Sequence, residues 1–302
     1  MKYIALVTEN GIIKGKIRFY CETLDVSTQG FYDYLKRKEK PWKHEHLAEQ
    51  IRTVIADDEC NNTYGRKRMT EALQLKFPNE KLPSESTIGR VMKQIGVNHT
   101  PRRKPNGITK ADRKARKSDD LLKRDFQAEA PCKKCITDIT EISAKDGKLY
   151  VSAIFDCFDL NVLGLSMADN MRAELCVQTV ENACRSYRSM RGAIIHSDRG
   201  SQYTSEKYRV VITKFEIDQS MNSAGGRCHD NARCESMWAR MKNELFYLQN
   251  RKSENYTVEE LKTLVWRYFM SYWNNRRICS AIGGVPPAEK RRRYYAALNP
   301  AV

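Results

Sequence analysis

The chain has 302 residues, 41% of them hydrophobic, and a formal charge of +16. That length allows one large core with one or two small appended domains. No run of about 18 apolar residues occurs, which excludes a simple membrane-spanning helix. The charge points to a polyanionic partner. Basic residues crowd into Pro101–Arg124, including Arg102, Arg103, Lys104, Arg113 and Lys114, and this clustering favours nucleic acid over general solubility. The apolar patch Ile4-Ala5-Leu6-Val7 is too short for a signal peptide, so a cytoplasmic protein is expected. Ten cysteines in that setting are expected as reduced thiols. Cys132 and Cys135 have metal-ligand spacing, but His44 and His46 stand roughly ninety residues upstream and no second pair lies at a suitable distance, so zinc is not expected.

In chain order, Ile12 to Leu24 reads as a helix. Asp25-Val26-Ser27 then makes a turn whose serine can cap a second helix through Arg37. This is the pattern of a helix-turn-helix, and equally of a helical hairpin. Further helices are expected over His46–Asp58, Tyr64–Lys76 and Glu85–Ile95. Arg66, Lys67 and Arg68 open the middle one, and Arg90 and Lys93 dot the last. The connector from Phe77 to Pro83 is too long for a tight helix-turn-helix, which leaves this block as a looser DNA-binding candidate or as packing. Pro101 to Lys117 has charge, Pro and Gly but little apolar periodicity, as in a linker or an arm along phosphates.

After Lys133 the pattern changes. Cys135–Ile142, Lys148–Phe158 and Asn161–Met167 are rich in Ile, Val, Leu, Tyr and Phe, and Lys145-Asp146-Gly147 and Asp159-Leu160 separate them. Three antiparallel strands are expected. Helices follow over Arg172–Met190, Ser205–Lys214, His229–Leu248 and Val258–Asn275. A short strand is expected at Gly192–His196 and another at Phe215–Ser220. Three meandering strands followed by alternating helix and strand describe an α/β, ribonuclease H-like core behind a helical region of helix-turn-helix type.

Three carboxylates stand out. Asp138 sits inside the first strand, where propensity disfavours it and burial of its charge is costly unless it is paired or bound to metal. An Asp on the solvated side of an edge strand is the plainer alternative. Asp198 follows the strand that ends at His196, the place where α/β folds put their sites, with Gly200 expected to permit a sharp exit; it could equally be a turn former. Glu235 shares a helical stripe with Asn231, Ala239 and Lys242, beside an apolar stripe of Trp238, Met241 and Leu245. Three hard oxygen donors can hold two Mg²⁺ ions for displacement at phosphorus, if the fold makes them converge.

Thr137-Asp138-Ile139-Thr140, then His196-Ser197-Asp198-Arg199-Gly200-Ser201-Gln202-Tyr203, then Asp230-Asn231-Ala232 with Glu235, Lys242, Asn243 and Glu244 resemble the three motifs of the integrase-like DDE transposases, encoded as the second reading frame of bacterial insertion sequences. The resemblance extends to Tyr272-Trp273-Asn274-Asn275-Arg276-Arg277 and Pro286-Pro287-Ala288. Upstream it takes in Ser27–Tyr34 and Tyr64-Gly65-Arg66-Lys67-Arg68, which look like the family's DNA-binding region. Cys135, Leu160 and Leu165 stand where the family commonly has Trp, Arg and Trp. The resemblance implies catalytic and metal-ligating roles for Asp138, Asp198 and Glu235, two Mg²⁺ or Mn²⁺ ions, and a phosphate contact from Lys242. It also implies DNA ends and target as partners, a homo-oligomer on DNA, and fusion to or help from an upstream reading-frame product. No membrane is involved, and the protein would act in the bacterial cytoplasm at the nucleoid. The domains would be a helical DNA-binding region over 1–100, a basic linker over 101–124, a catalytic core over 125–290 and a tail over 291–302. The rival readings are a non-catalytic helix-turn-helix DNA-binding protein, a ribonuclease H-like nuclease that cuts without joining, and a degenerate transposase that binds without cutting. The role of His196 is open between a metal-proximal hydrogen bond and support of Asp198.

Overall fold

A computed structural model describes residues 1–39, 42–97, 118–123, 125–222 and 232–298. The chain divides into two compact units, Met1–Gln50 and Ile51–Val302. Among the described residues no helix is long and apolar enough to cross a membrane.

The first unit holds helices α1 (Lys2–Val7), α2 (Lys14–Thr23) and α3 (Thr28–Glu39). Ile17, Tyr20 and Cys21 recur at the spacing of one helical face, and they close on Ile4, Ala5, Phe31 and Leu35. The turn between α2 and α3 depends on Asp25, held at φ 49°. Ser27 Oγ then accepts from Gly30 N at 3.0 Å. A Cβ on Gly30 would come within 2.8 Å of that oxygen, so the cap itself asks for glycine. The expected helix, turn and Ser-capped helix are all present.

Helix α4 (Glu45–Ala56) runs across the boundary between the units, and α5 (Arg66–Lys76) and α6 (Glu85–Gln94) follow in the second. Three strands come next, β1 (Lys134–Ser143), β2 (Lys148–Asp156) and β3 (Val162–Ala168), then α7 (Ala173–Ser186), β4 (Ile194–Ser197), α8 (Ser201–Thr204), α9 (Glu206–Lys214) and β5 (Asp218–Met221). The five strands form one sheet in the order β3-β2-β1-β4-β5. β1, β2 and β3 are antiparallel neighbours, while β4 runs parallel to β1 and β5 parallel to β4. This is the ribonuclease H-like α/β arrangement.

Both faces of the central strands are covered, because alternate residues of a strand point to opposite sides. Ile154 packs with Leu163, Cys176, Val180, Ala183 and Tyr208. Its neighbour Phe155 meets Trp238 and Phe269. Helix α7 lies directly on β3 at Gly164, where a Cβ would fall 2.4 Å from Thr179 O and 2.9 Å from Ala183 Cβ. Only glycine allows that approach. Cys132 and Cys135 are core residues with buried thiols, which burial pushes above the ordinary cysteine range.

The last helices are α10 (Ala232–Lys242), α11 (Val258–Trp266) and α12 (Pro287–Leu298). α10 runs on into a wide π turn, Asn243–Tyr247, and α11 into a longer π segment, Arg267–Trp273. The wide turn turns Glu244, Leu245 and Phe246 inward together. Glu244 is 4% exposed and both its oxygens are used. Arg277 donates to them at 2.8 and 2.5 Å, Tyr268 Oη at 2.9 Å, and Arg68 of α5 at 3.1 Å. Arg68 therefore serves as an internal cross-link and is withdrawn from the basic surface that Arg66-Lys67-Arg68 suggests. Residues 291–298, expected within a C-terminal tail, continue α12, and Arg291 pairs there with the buried Asp156 (2.5 Å) and Asp159 (2.7 Å).

Candidate active site

The parallel pairing of β1 and β4 sets Ile136 opposite His196. Two residues further along each strand stands an aspartate, Asp138 on one and Asp198 just past the end of the other. A step of two keeps a side chain on the same face of a strand, so the register brings both carboxylates to one place at the carboxyl edge of β4. No property of either segment alone reveals this, since the pairing joins residues about sixty apart.

Asp138 is half-buried beside β2, where it pairs with Ala153. Its Oδ2 accepts from Trp238 Nε1 at 3.2 Å. Burial, followed by the charge of Asp198, pushes its pKa up to about 7, and Glu235 adds to the rise. Burial also raises Asp198, against the pull of a hydrogen bond from Gly200 N to its Oδ1 at 2.9 Å. Gly200 has φ −61°, so the expected conformational need for glycine is absent. The reason is space, because a Cβ would meet Asp198 Oδ1 at 2.9 Å. Glu235 is exposed in the first turn of α10. The three carboxylates thus share one electrostatic neighbourhood, although among the described residues no three His, Cys, Asp or Glu groups close to metal-holding distance.

Other side chains from 196 to 203 tie this segment to its neighbours. His196 is 1% exposed and bonds to Ser220 Oγ through Nδ1 and to Asn222 Oδ1 through Nε2, each at 2.8 Å. It fastens β4 to β5 and the chain beyond. Arg199 donates to Asn222 O, and Gln202 to Met171 O at 2.9 Å. Tyr203 lies 3.4 Å from Thr137 Oγ1, which itself donates to Ala153 O.

Lys242 is half-buried, and its Nζ donates to Glu141 O at 2.8 Å, a link between α10 and β1. Arg102, Arg103, Lys104, Arg113 and Lys114 lie outside the described residues, as do Asp230 and Asn231. A basic surface that the sequence only hinted at lies on α5 and α6, where Arg66, Arg90 and Lys93 with Ser86 and Gly89 line a cleft of about 380 Å³. Trp238, read from the sequence as part of an apolar stripe, turns out to be the hydrogen-bond partner of Asp138. Its indole nitrogen was the only signal available.

The integrase core domain family matches residues 128–226. The chain is 36% identical over 263 residues to the probable transposase for insertion sequence element IS1353 of Shigella flexneri, covering 86% of this chain and 49% of that one. It is 28% identical over 292 residues to the transposase InsF for insertion sequence IS3A of Escherichia coli (strain K12), covering 96% and 98%. These matches support an insertion-sequence transposase of second-reading-frame type. Another relative, the IS600 insertion element's uncharacterized 31 kDa protein from Shigella sonnei, is 28% identical over 91% of this chain and 98% of that one. Among solved structures, the simian T-cell lymphotropic virus intasome in complex with PP2A regulatory subunit B56 gamma overlays with TM-score 0.45 and 12% identity, covering 73% of this chain and 69% of that chain. In this transposase the integrase match contains Asp138 and Asp198 and ends before Glu235.

Proposed function

We propose that Asp138, Asp198 and Glu235 hold two divalent cations, Mg²⁺ or Mn²⁺, and that this transposase cuts and rejoins DNA there. The register that sets Asp138 level with Asp198 is the observation that carries the reading. The donor set suits hard cations, because carboxylate oxygens are their preferred ligands. The pKa of Asp138 is raised first by burial and then by the charge of Asp198, and a divalent cation would compensate both. In this reading Asp138 and Asp198 share one ion, and Asp138 and Glu235 the other. When bound, the ions supply charge stabilisation to the attacking and leaving oxygens of an in-line displacement at phosphorus.

The protein's own part is to hold the carboxylates and the DNA. Water attacks a phosphodiester at an element end, the bond to the 3′-oxygen breaks, and a 3′-hydroxyl is freed. That hydroxyl then attacks a phosphodiester of target DNA and displaces its 3′-oxygen. The exchange needs no covalent protein–DNA intermediate. Lys242 would contact a phosphate beside the site, with Arg102, Arg103, Lys104, Arg113 and Lys114 along the DNA. The division into a DNA-binding region (1–100), basic linker (101–124) and catalytic core (125–290) belongs to the same proposal, with the expected tail (291–302) joined to the core through Arg291 of α12. So do a homo-oligomer that bridges two ends, an upstream reading-frame product as helper, and a place in the cytoplasm at the nucleoid.

The test is excision from a plasmid that carries the whole locus with its flanks. Asp198→Asn should lower excised or rejoined product by at least about a hundredfold, as expected when metal-borne charge stabilisation is lost. Equal product from wild type and variant would remove Asp198 from the site.

A further inference from the structure

Trp238 lies three residues beyond Glu235 on α10 and is buried. Its ring stands edge to face with Phe155 of β2 at 5.4 Å and with Phe269 of the π segment at 5.7 Å. Those contacts explain an aromatic ring at this position, and phenylalanine would satisfy them. They do not explain the nitrogen. A buried indole N–H requires an acceptor, and here the acceptor is Oδ2 of Asp138.

We propose that Trp238 is a positioning residue for Asp138, its indole N–H fixing the carboxylate in the orientation that receives divalent cations. The inference rests on the reading of Asp138 as a ligand. A carboxylate on a strand can turn about its own side-chain bonds, and turning in search of a geometry weakens binding. A donor on one oxygen removes that freedom, and the carboxylate, which also takes a main-chain hydrogen bond from Ile139, keeps lone pairs for an ion. Outer partners of this kind orient metal ligands generally and tune affinity. The placement adds a second effect. The donor to Asp138 shares a helix with Glu235, so one contact ties β1 to the helix that carries the third carboxylate. Trp273 shows the ordinary use of a buried indole in this protein, donating to the main-chain oxygen of Leu160 at 2.8 Å.

Trp238→Phe separates the ring from the nitrogen. The full chain would be titrated with Mn²⁺ by calorimetry, with wild type and Asp138→Asn beside it and melting in chelator as the control for folding. Trp238→Phe should melt like wild type in chelator. Its half-saturating Mn²⁺ concentration should rise roughly tenfold, as for the loss of one hydrogen bond to a charged group. Strand cleavage at saturating Mn²⁺ should return to within a few-fold of wild type, a split that a generally damaged core would not give. Wild-type half-saturation in Trp238→Phe, with binding lost in Asp138→Asn, overturns the role of Trp238 alone. Wild-type binding in Asp138→Asn overturns the ligand reading itself. If Trp238→Phe does not fold, the indole N–H signals of the four tryptophans in the wild type replace it. One should move on Asp138→Asn and on addition of Mg²⁺, and four unmoved signals overturn the proposal.

Discussion

At the scale of the residue, Asp138 carries an energetic conflict. In the unfolded chain it ionises like any aspartate, whereas in the fold its pKa is about 7. Between those two values the folded state holds a proton that the unfolded state has released. Stability therefore falls as pH rises from about 4 to 7, and above that the ionised group costs on the order of a few kcal/mol. Asp138→Asn removes the conflict. In metal-free buffer the variant should melt several degrees above wild type at pH 8, and the gap should narrow toward pH 5. Adding Mg²⁺ should raise the melting temperature of wild type and leave the variant unmoved. Parallel pH curves for the two proteins would show that Asp138 is not strained.

At the scale of the element, the decisive parts are the wide turns and the helix pair α5–α6. The π turn after α10 sets Glu244 inside, where burial opposes its ionisation and Arg277 with Arg68 outweighs the burial, so that its pKa lies below the ordinary glutamate range. Glu244→Ala strands two guanidinium groups and should destabilise the protein by roughly 3–5 kcal/mol in a denaturant titration. The pair's contribution is present above the unfolded-state pKa of glutamate and lost as pH falls through the lower folded value. The outer face of α5 and α6 makes a different prediction. Arg66, Arg90 and Lys93 line an open cleft, and charge reversal of Arg90 and Lys93 together should weaken DNA binding and flatten its salt dependence. An unchanged slope of log Kd against log salt would remove the cleft from the interface.

At the scale of the whole molecule, much is legible in the sequence alone. The meander of β1 to β3, the Ser27 cap and the three spaced motifs could be read because they are local: a period, a turn residue, a short string. What escaped reading was whatever depends on partners distant in the chain. Arg68 looked like a DNA contact because its triplet is basic, yet its partner Glu244 lies on another helix in a π turn that no periodicity announces. Gly200 looked like a bend residue and proved to be a matter of space beside Asp198 Oδ1. Convergence of Asp138 with Asp198 could be hoped for from the motifs, but only the sheet register gives it a cause.

That register also has a consequence for how much of the chain the centre depends on. β1 pairs with β4 across β2, β3 and α7, the whole of the intervening chain. The carboxylate pair thus depends on a contact between residues about sixty apart and is subject to the closure cost of such contacts. A one-residue slip of β4 would turn Asp198 to the opposite face. The register of β4 is therefore all-or-none for the proposed centre: a chain without the β1–β4 pairing lacks the arrangement that sets Asp198 beside Asp138.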